Sequence, residues 1–190
     1  MFLDVSNAFN GVWHKGLEHK LRCLGIIDPL FSWLCCYLKN RNQKVVLNGV
    51  ESSCEYTNSG VPQGSILGPL LFLIFINDFE ENLLSDVYLF ADDSTISKTY
   101  SDKKVAEQIL NHDLLLIEEW SRKWMVDFNP TKTTFINFSL KKSNKSKLKL
   151  MFAGESITET PEHKHLGIIL TSELKWSNHI VANTCCKVKG

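Results

Sequence analysis

Between Val87 and Ile96 the chain reads Val-Tyr-Leu-Phe-Ala-Asp-Asp-Ser-Thr-Ile, and this stretch restricts the fold more than any other. Its apolar residues, with no Gly or Pro among them, specify a half-buried strand. Asp92 and Asp93 interrupt it, and adjacent carboxylates in such a strand are costly unless something positive satisfies them. The Asp-Asp-Ser step also has turn chemistry, so the run can fold as a tight β-hairpin with both acids at its tip. An ordinary surface turn would use the same residues, and the pair alone does not separate the two readings. A third acid does. Asp4 sits in Met1-Phe-Leu-Asp-Val-Ser-Asn-Ala-Phe-Asn10, a second apolar strand. Two strands that each contribute a carboxylate point to a shared divalent-metal site built on a sheet.

At 190 residues and 44% hydrophobic side chains, the chain can bury a sizeable core, which predicts one domain with at most a small appendage. Lys+Arg and Asp+Glu number 21 each, so any surface for a polyanion must come from local clusters. Six cysteines, four of them in the adjacent pairs Cys35-Cys36 and Cys185-Cys186, follow no secretory signal and read as reduced thiols of an intracellular protein, nuclear or cytoplasmic. His163, His165, Cys185 and Cys186 match no common zinc spacing. The longest apolar run, Ile66 to Ile76, contains Gly68 and Pro69 and is too short to cross a bilayer, so no membrane partner is expected. Met1 is followed at once by the acid-bearing strand, which reads as a piece of something longer.

In chain order, Phe2 to Ser6 is the first strand and Asn7 to Gly11 a loop. Leu17, Leu21 and Leu24 stand at helical spacing in a segment from His14 that closes on Gly25. Asp28 as N-cap and Pro29 at the first helical position open a second helix reaching Asn40. Lys39, Arg41 and Lys44 make a basic patch at its end. Asn48-Gly49 predicts a hairpin over 43–57. Ser59-Gly-Val-Pro-Gln-Gly-Ser65 is a Gly-rich loop that lets backbone approach a ligand closely, and it opens a helix apolar enough all round to be buried. A long amphipathic helix follows from Asp102 to Met125, with Trp120 and Trp124 on its core face. Asn129 to Thr133 is a turn, Thr134 to Phe138 a strand, and Lys141 to Lys149 a basic, solvated loop. Residues 148–170 suggest two or three short strands, and Trp176 begins a helix.

Laid out this way, the sequence resembles the palm domain of reverse transcriptases, and within them those of non-LTR (LINE-type, jockey-like) retrotransposons. Phe2-Leu-Asp-Val-Ser-Asn-Ala-Phe-Asn-Gly-Val-Trp-His14 is similar to the first catalytic motif, commonly Leu-Asp-x-Ser-Lys-Ala-Phe-Asp-x-Val-x-His. Ser59 through Phe72 and on to Asn77-Asp78 resembles the second motif nearly letter for letter, and Phe90-Ala-Asp-Asp93 the third. Trp124 through Thr133 resembles the fourth, His165-Leu-Gly-Ile168 the primer grip, and Leu174 to Ile180 the opening of the thumb. Asn7 and Asn10 depart from the usual Lys and Asp. By this resemblance, the fingers, an endonuclease and a Cys-rich module would lie outside these 190 residues.

The resemblance implies an α/β (α+β) right-hand palm over 1–170, an antiparallel sheet with helices on one face, and an incomplete thumb or connection over 171–190. It implies RNA-directed DNA polymerase chemistry: dNTPs added to a DNA primer 3′ end on an RNA template. Two Mg2+ ions, with Mn2+ as the alternative, would be held by Asp4, the Val5 carbonyl, Asp92 and Asp93. Three crowded carboxylates would couple metal binding to catalysis. The incoming nucleotide would meet Val5, Ala8, Pro62, Gln63 and Gly64, with Phe9 as the ring that rejects a 2′-hydroxyl. Lys132 would give a proton to the leaving pyrophosphate, and Leu166 and Gly167 would hold the primer end. The remaining parts of a retroelement polyprotein (endonuclease, fingers and thumb) are the partners implied. The alternative is a catalytically inactive transposon-derived remnant that at most binds nucleic acid. Another two-metal enzyme, a nuclease, would have no use for the Ser59-to-Ser65 loop or for Phe9.

Overall fold

The computed structural model describes residues 1–139 and 148–185. The order is β1 (Phe2–Asp4), α1 (His14–Cys23), α2 (Leu30–Leu38), β2 (Asn42–Gln43), β3 (Val46–Leu47), β4 (Val50–Glu51), β5 (Glu55–Tyr56) and α3 (Leu67–Ile76). There follow β6 (Asp86–Phe90), β7 (Asp93–Ser97), α4 (Lys103–Trp124), β8 (Thr134–Phe135), β9 (Met151–Phe152), β10 (Glu155–Ser156), β11 (Thr158–Glu159), β12 (Glu162–His165), β13 (Ile168–Thr171) and α5 (Ser177–Cys185). Most of the basic 141–149 loop and Cys186 lie outside the described residues.

Five strands form one sheet in the order β11-β8-β1-β7-β6. All its pairs are antiparallel except β11 with β8, where Thr158 pairs with Thr134 in parallel. The sheet is therefore mixed, which corrects the antiparallel expectation. In sequence, the antiparallel β9–β10 hairpin stands between β8 and β11, and β11 then lies alongside β8 in the same direction.

Alternation decides which face is which. Leu3, Ser94 and Ile96 point to the core, where they join Leu17, Leu71, Phe75, Leu114, Ile117 and Phe152 in one buried cluster contributed by α1, α3, α4 and β9. Helix α4 starts where Asp102 accepts the Lys104 amide at 2.7 Å and stops at Met125, whose φ is +56°. Trp124 is buried and Trp120 packs against the core, as their spacing predicts. Both rings, with Phe75, surround the Lys20 ammonium, which donates to Phe75 O and to Asp78 Oδ1, each at 2.5 Å. Burial lowers the Lys20 pKa despite the Asp78 partner.

Helix α3 is only half as buried as its composition predicts. Leu71, Phe72, Phe75 and Ile76 face the core, while Ile66, Leu70 and Leu73 make an exposed stripe. A hydrophobicity count cannot see which side of a helix has neighbours. Asn48 and Gly49, both at positive φ, turn the 42–56 hairpin as their dipeptide predicts. Helix α2 begins at Leu30, one residue later than a Pro29 start, with Asp28 still accepting the Ser32 amide. Of the basic patch, Lys39 pairs with Glu18 and Lys44 with Glu51, so two of its three charges are locally neutralised. Cys23, Cys35, Cys36 and Cys54 are free thiols. No described helix is long and apolar enough to cross a membrane.

Candidate active site

Strands β6 and β7 form a hairpin closed by the Phe90–Asp93 pair, with Ala91 and Asp92 as its two loop residues. Ala91 has φ +52°, the sign that a two-residue hairpin requires at its first loop position. The acids do therefore sit at a hairpin tip. Strand β1 lies beside β7 in a register that sets Phe2 opposite Thr95 and Asp4 opposite Asp93. Directly opposed residues of an antiparallel pair share a face, with Cβ atoms about 5 Å apart. Asp4 and Asp93 thus stand side by side on the face away from the helices, Asp4 half-buried and Asp93 exposed. Asp92 occupies the turn, out of register with Asp4. Among the described residues, no three His, Cys, Asp or Glu side chains converge as a metal-binding group. Two opposed, solvent-accessible carboxylates do fit a hard divalent cation that takes its remaining oxygens from water or phosphate.

On its other edge β1 is held by the segment after α4. Ser6 N donates to Asp127 O, Val5 bridges Phe128, and Asn129 N donates to Asp4 O at 2.8 Å. The Asn129 carboxamide oxygen then accepts from Thr131 N, Thr131 Oγ1 and Lys132 N. This turn places Lys132 Nζ 3.7 Å from Asp4 Oδ2.

The Gly-rich loop docks on the chain that follows β1. Val61 N donates to Phe9 O and Gly60 N to Val12 O, both at 2.8 Å, and Ser59 Oγ donates to Asn10 O. His14 Nε2 lies 2.7 Å from Gly60 O, and Gln63 Nε2 donates to Asn10 Oδ1 at 3.2 Å. Gly60 has φ +86°, and a Cβ there would fall 2.9 Å from Asn10 O, so only glycine permits this approach. Phe9 is half-buried, its ring 4.8 Å from that of Phe72, and Val5, Ala8 and Pro62 lie in the same two segments. Gln63 and Gly64 are exposed at the loop's outer end.

Leu166 (φ +47°) and Gly167 (φ +82°) form the two-residue turn of the β12–β13 hairpin. The preceding strand lays its histidines on β1: the His163 ring stacks on Phe2 at 4.0 Å, and His165 lies 5.1 Å from it. Burial, and then the neighbouring His165, hold the His163 pKa below its ordinary value. Motif reading singles out Leu166 and Gly167 but misses His14, Asn10 and the two histidines as contacts. The one signal that could have found the pair is His163-Lys-His165, where alternation puts both rings on one face.

A family model described as reverse transcriptase (RNA-dependent DNA polymerase) matches residues 1–170. The chain is 31% identical over 189 residues, 95% of its length, to the RNA-directed DNA polymerase from mobile element jockey of Drosophila funebris. It is 30% identical over 195 residues, 97% of its length, to the probable RNA-directed DNA polymerase from transposon BS of Drosophila melanogaster. Over 125 residues, 64% of its length, it is 30% identical to the retrovirus-related Pol polyprotein from type-1 retrotransposable element R1 of Bradysia coprophila. The chain spans 20%, 21% and 12% of these three relatives, respectively.

Proposed function

The chain belongs to the reverse transcriptase (RNA-dependent DNA polymerase) family, and on that premise we propose that it is the palm of an RNA-directed DNA polymerase from a non-LTR retrotransposon. The palm comprises 1–170, and 171–190 opens the thumb. Its substrates are an RNA template, a DNA primer and dNTPs, and it works inside the cell beside the rest of a retroelement polyprotein. One observation carries the reading: the β1–β7 register sets Asp4 against Asp93, with Lys132 beside Asp4.

Asp4 and Asp93, with Asp92 at the adjoining turn, offer carboxylate oxygens to two Mg2+ ions. When bound, such ions stabilise charge on the attacking 3′-oxygen and on the departing pyrophosphate. Before binding, the facing carboxylates raise each other's energy, and Lys132 offsets part of this through Asp4. Lys132, exposed beside Asp4, is the group that would deliver a proton to the leaving pyrophosphate. Phe9, braced on Phe72, presents a ring that cannot yield to a 2′-hydroxyl. Gln63, tethered by Asn10, and the backbone at Pro62 and Gly64 shape the nucleotide's approach. Leu166 and Gly167 meet the primer end.

Primer extension on poly(rA)/oligo(dT) with Mg2+ tests this, comparing the chain with its Asp92→Ala/Asp93→Ala variant. Extension by the chain alone, abolished in the variant, is expected. Equal extension by both would overturn the carboxylate assignment, and none from either would make this chain a remnant without activity of its own.

A further inference from the structure

The β12–β13 hairpin is a two-stranded sheet separate from the five-stranded one, and two of its imidazoles touch the larger sheet. His163 spans β1 and β8: its ring is stacked within 13° of parallel on Phe2, and its Nδ1 lies 3.2 Å from Thr134 Oγ1. His165 spans β1 and β7: it leans on the same Phe2, and its Nε2 lies 3.3 Å from Thr95 Oγ1. Strands β8 and β7 flank β1 on opposite sides. The two hydroxyl contacts therefore straddle the strand that both rings touch. An aliphatic pair would bury against Phe2 equally well but could slide along it. Directional contacts to both neighbouring strands oppose sliding in either direction.

The location matters because Phe2 and Thr95 are register partners, two residues along the same face from the partners Asp4 and Asp93. That is one pleat repeat, about 7 Å. The hairpin turn follows His165 immediately. We propose that His163 and His165 are positioning residues that lock the Leu166–Gly167 turn to the strand pair bearing Asp4 and Asp93, fixing the primer 3′ end against the carboxylates. This rests on the reading of Leu166 and Gly167 as the primer contact. The lock itself stands on the imidazole geometry.

The test uses the full chain and its His163→Ala/His165→Ala variant, with backbone hydrogen exchange across 162–171 and fluorescence anisotropy of a labelled oligo(dT)/poly(rA) primer–template. The variant should exchange at least tenfold faster in the hairpin, melt within a few degrees of the parent and bind primer–template about tenfold more weakly. His165→Gln, which keeps a nitrogen within reach of Thr95, should restore most of the protection that His165→Ala loses. Unchanged exchange in the double variant overturns the lock. Faster exchange with unchanged primer affinity overturns the primer reading of Leu166 and Gly167 and leaves the lock standing.

Discussion

Asp4 and Asp93 are register partners across the β1–β7 pair, so two carboxylates share one exposed face of the sheet. Like charges placed directly opposite destabilise a sheet. Asp93→Asn should therefore raise the thermal midpoint slightly in the absence of divalent ions while abolishing primer extension. Added Mg2+ should stabilise the parent, by about 2.7 kcal/mol at a hundredfold excess over its dissociation constant, and the variant much less. Equal Mg2+-induced shifts in thermal melts of the two proteins would remove Asp93 from the metal site.

Gly60 is the second sensitive point. Alanine there would hold a strained φ, costing about 1–2 kcal/mol, and would press its Cβ on the Asn10 backbone. A total loss near ~2 kcal/mol, roughly 4–8 °C in midpoint for a domain of this size, is expected for Gly60→Ala. The displaced loop should also raise KM for dNTP in primer extension, because Gln63 would lose its Asn10 tether. A variant that melts normally with an unaltered KM would show that the loop tolerates a side chain there.

The Lys20 ammonium satisfies a buried carbonyl and a carboxylate inside an aromatic cage. Lys20→Met keeps the bulk but strands Phe75 O and leaves Asp78 with only Trp120 Nε1 among these partners. A loss of about 2 kcal/mol follows from one unsatisfied buried acceptor and one lost charged hydrogen bond. Adding Asp78→Asn removes the uncompensated charge and should recover part of that loss. Urea unfolding of parent, single and double variants would measure both steps, and a double variant less stable than the single would contradict this account.

Ser94 points into the core between Leu3 and Leu89, and its hydroxyl is buried with no hydrogen-bond partner among the described residues. An unmet buried hydroxyl costs about 1–3 kcal/mol. Ser94→Ala should be neutral or stabilising by up to ~1 kcal/mol once the small lost volume is set against it. A clear drop in midpoint would mean that the hydroxyl is satisfied after all.

Stability should fall as pH is lowered through the histidine range. His163 is a base whose folded pKa lies below 6.5, because burial and then the neighbouring His165 disfavour its charged form, with Asp93 pulling the other way. The unfolded chain then binds more protons just below pH 6.5, so stability contributed by the neutral ring is lost as pH drops. The buried Met1 amine, pushed down to about 5 from 8.0, adds a slope of the same sign. An NMR titration of His163 should give a midpoint below the ordinary histidine value. His163→Phe should flatten the dependence of melting temperature on pH between 7 and 5. A midpoint at or above 6.5 would contradict the burial argument.

The sequence by itself determined what is local. Asn48-Gly49, the Asp102 cap and the two-residue tip holding Asp92 are set by neighbours within a few positions, where turn and cap chemistry act directly. Its ordered motifs also carried the family, since residues 1–170 match a reverse transcriptase model. Tertiary structure alone decided register and neighbours. Sliding β1 by one residue would turn Asp4 toward the core, and only the packing of Leu3 and Ile96 against the helices excludes that slip. The exposed stripe of α3, the parallel return of β11 and the pairing of Lys39 and Lys44 with glutamates depend on residues 7 to 24 positions apart or on faces left uncovered. The histidines show the same division. Alternation puts them on one face, but only the folded sheet brings Phe2, Thr95 and Thr134 beneath them, over separations of 29 to more than 160 residues.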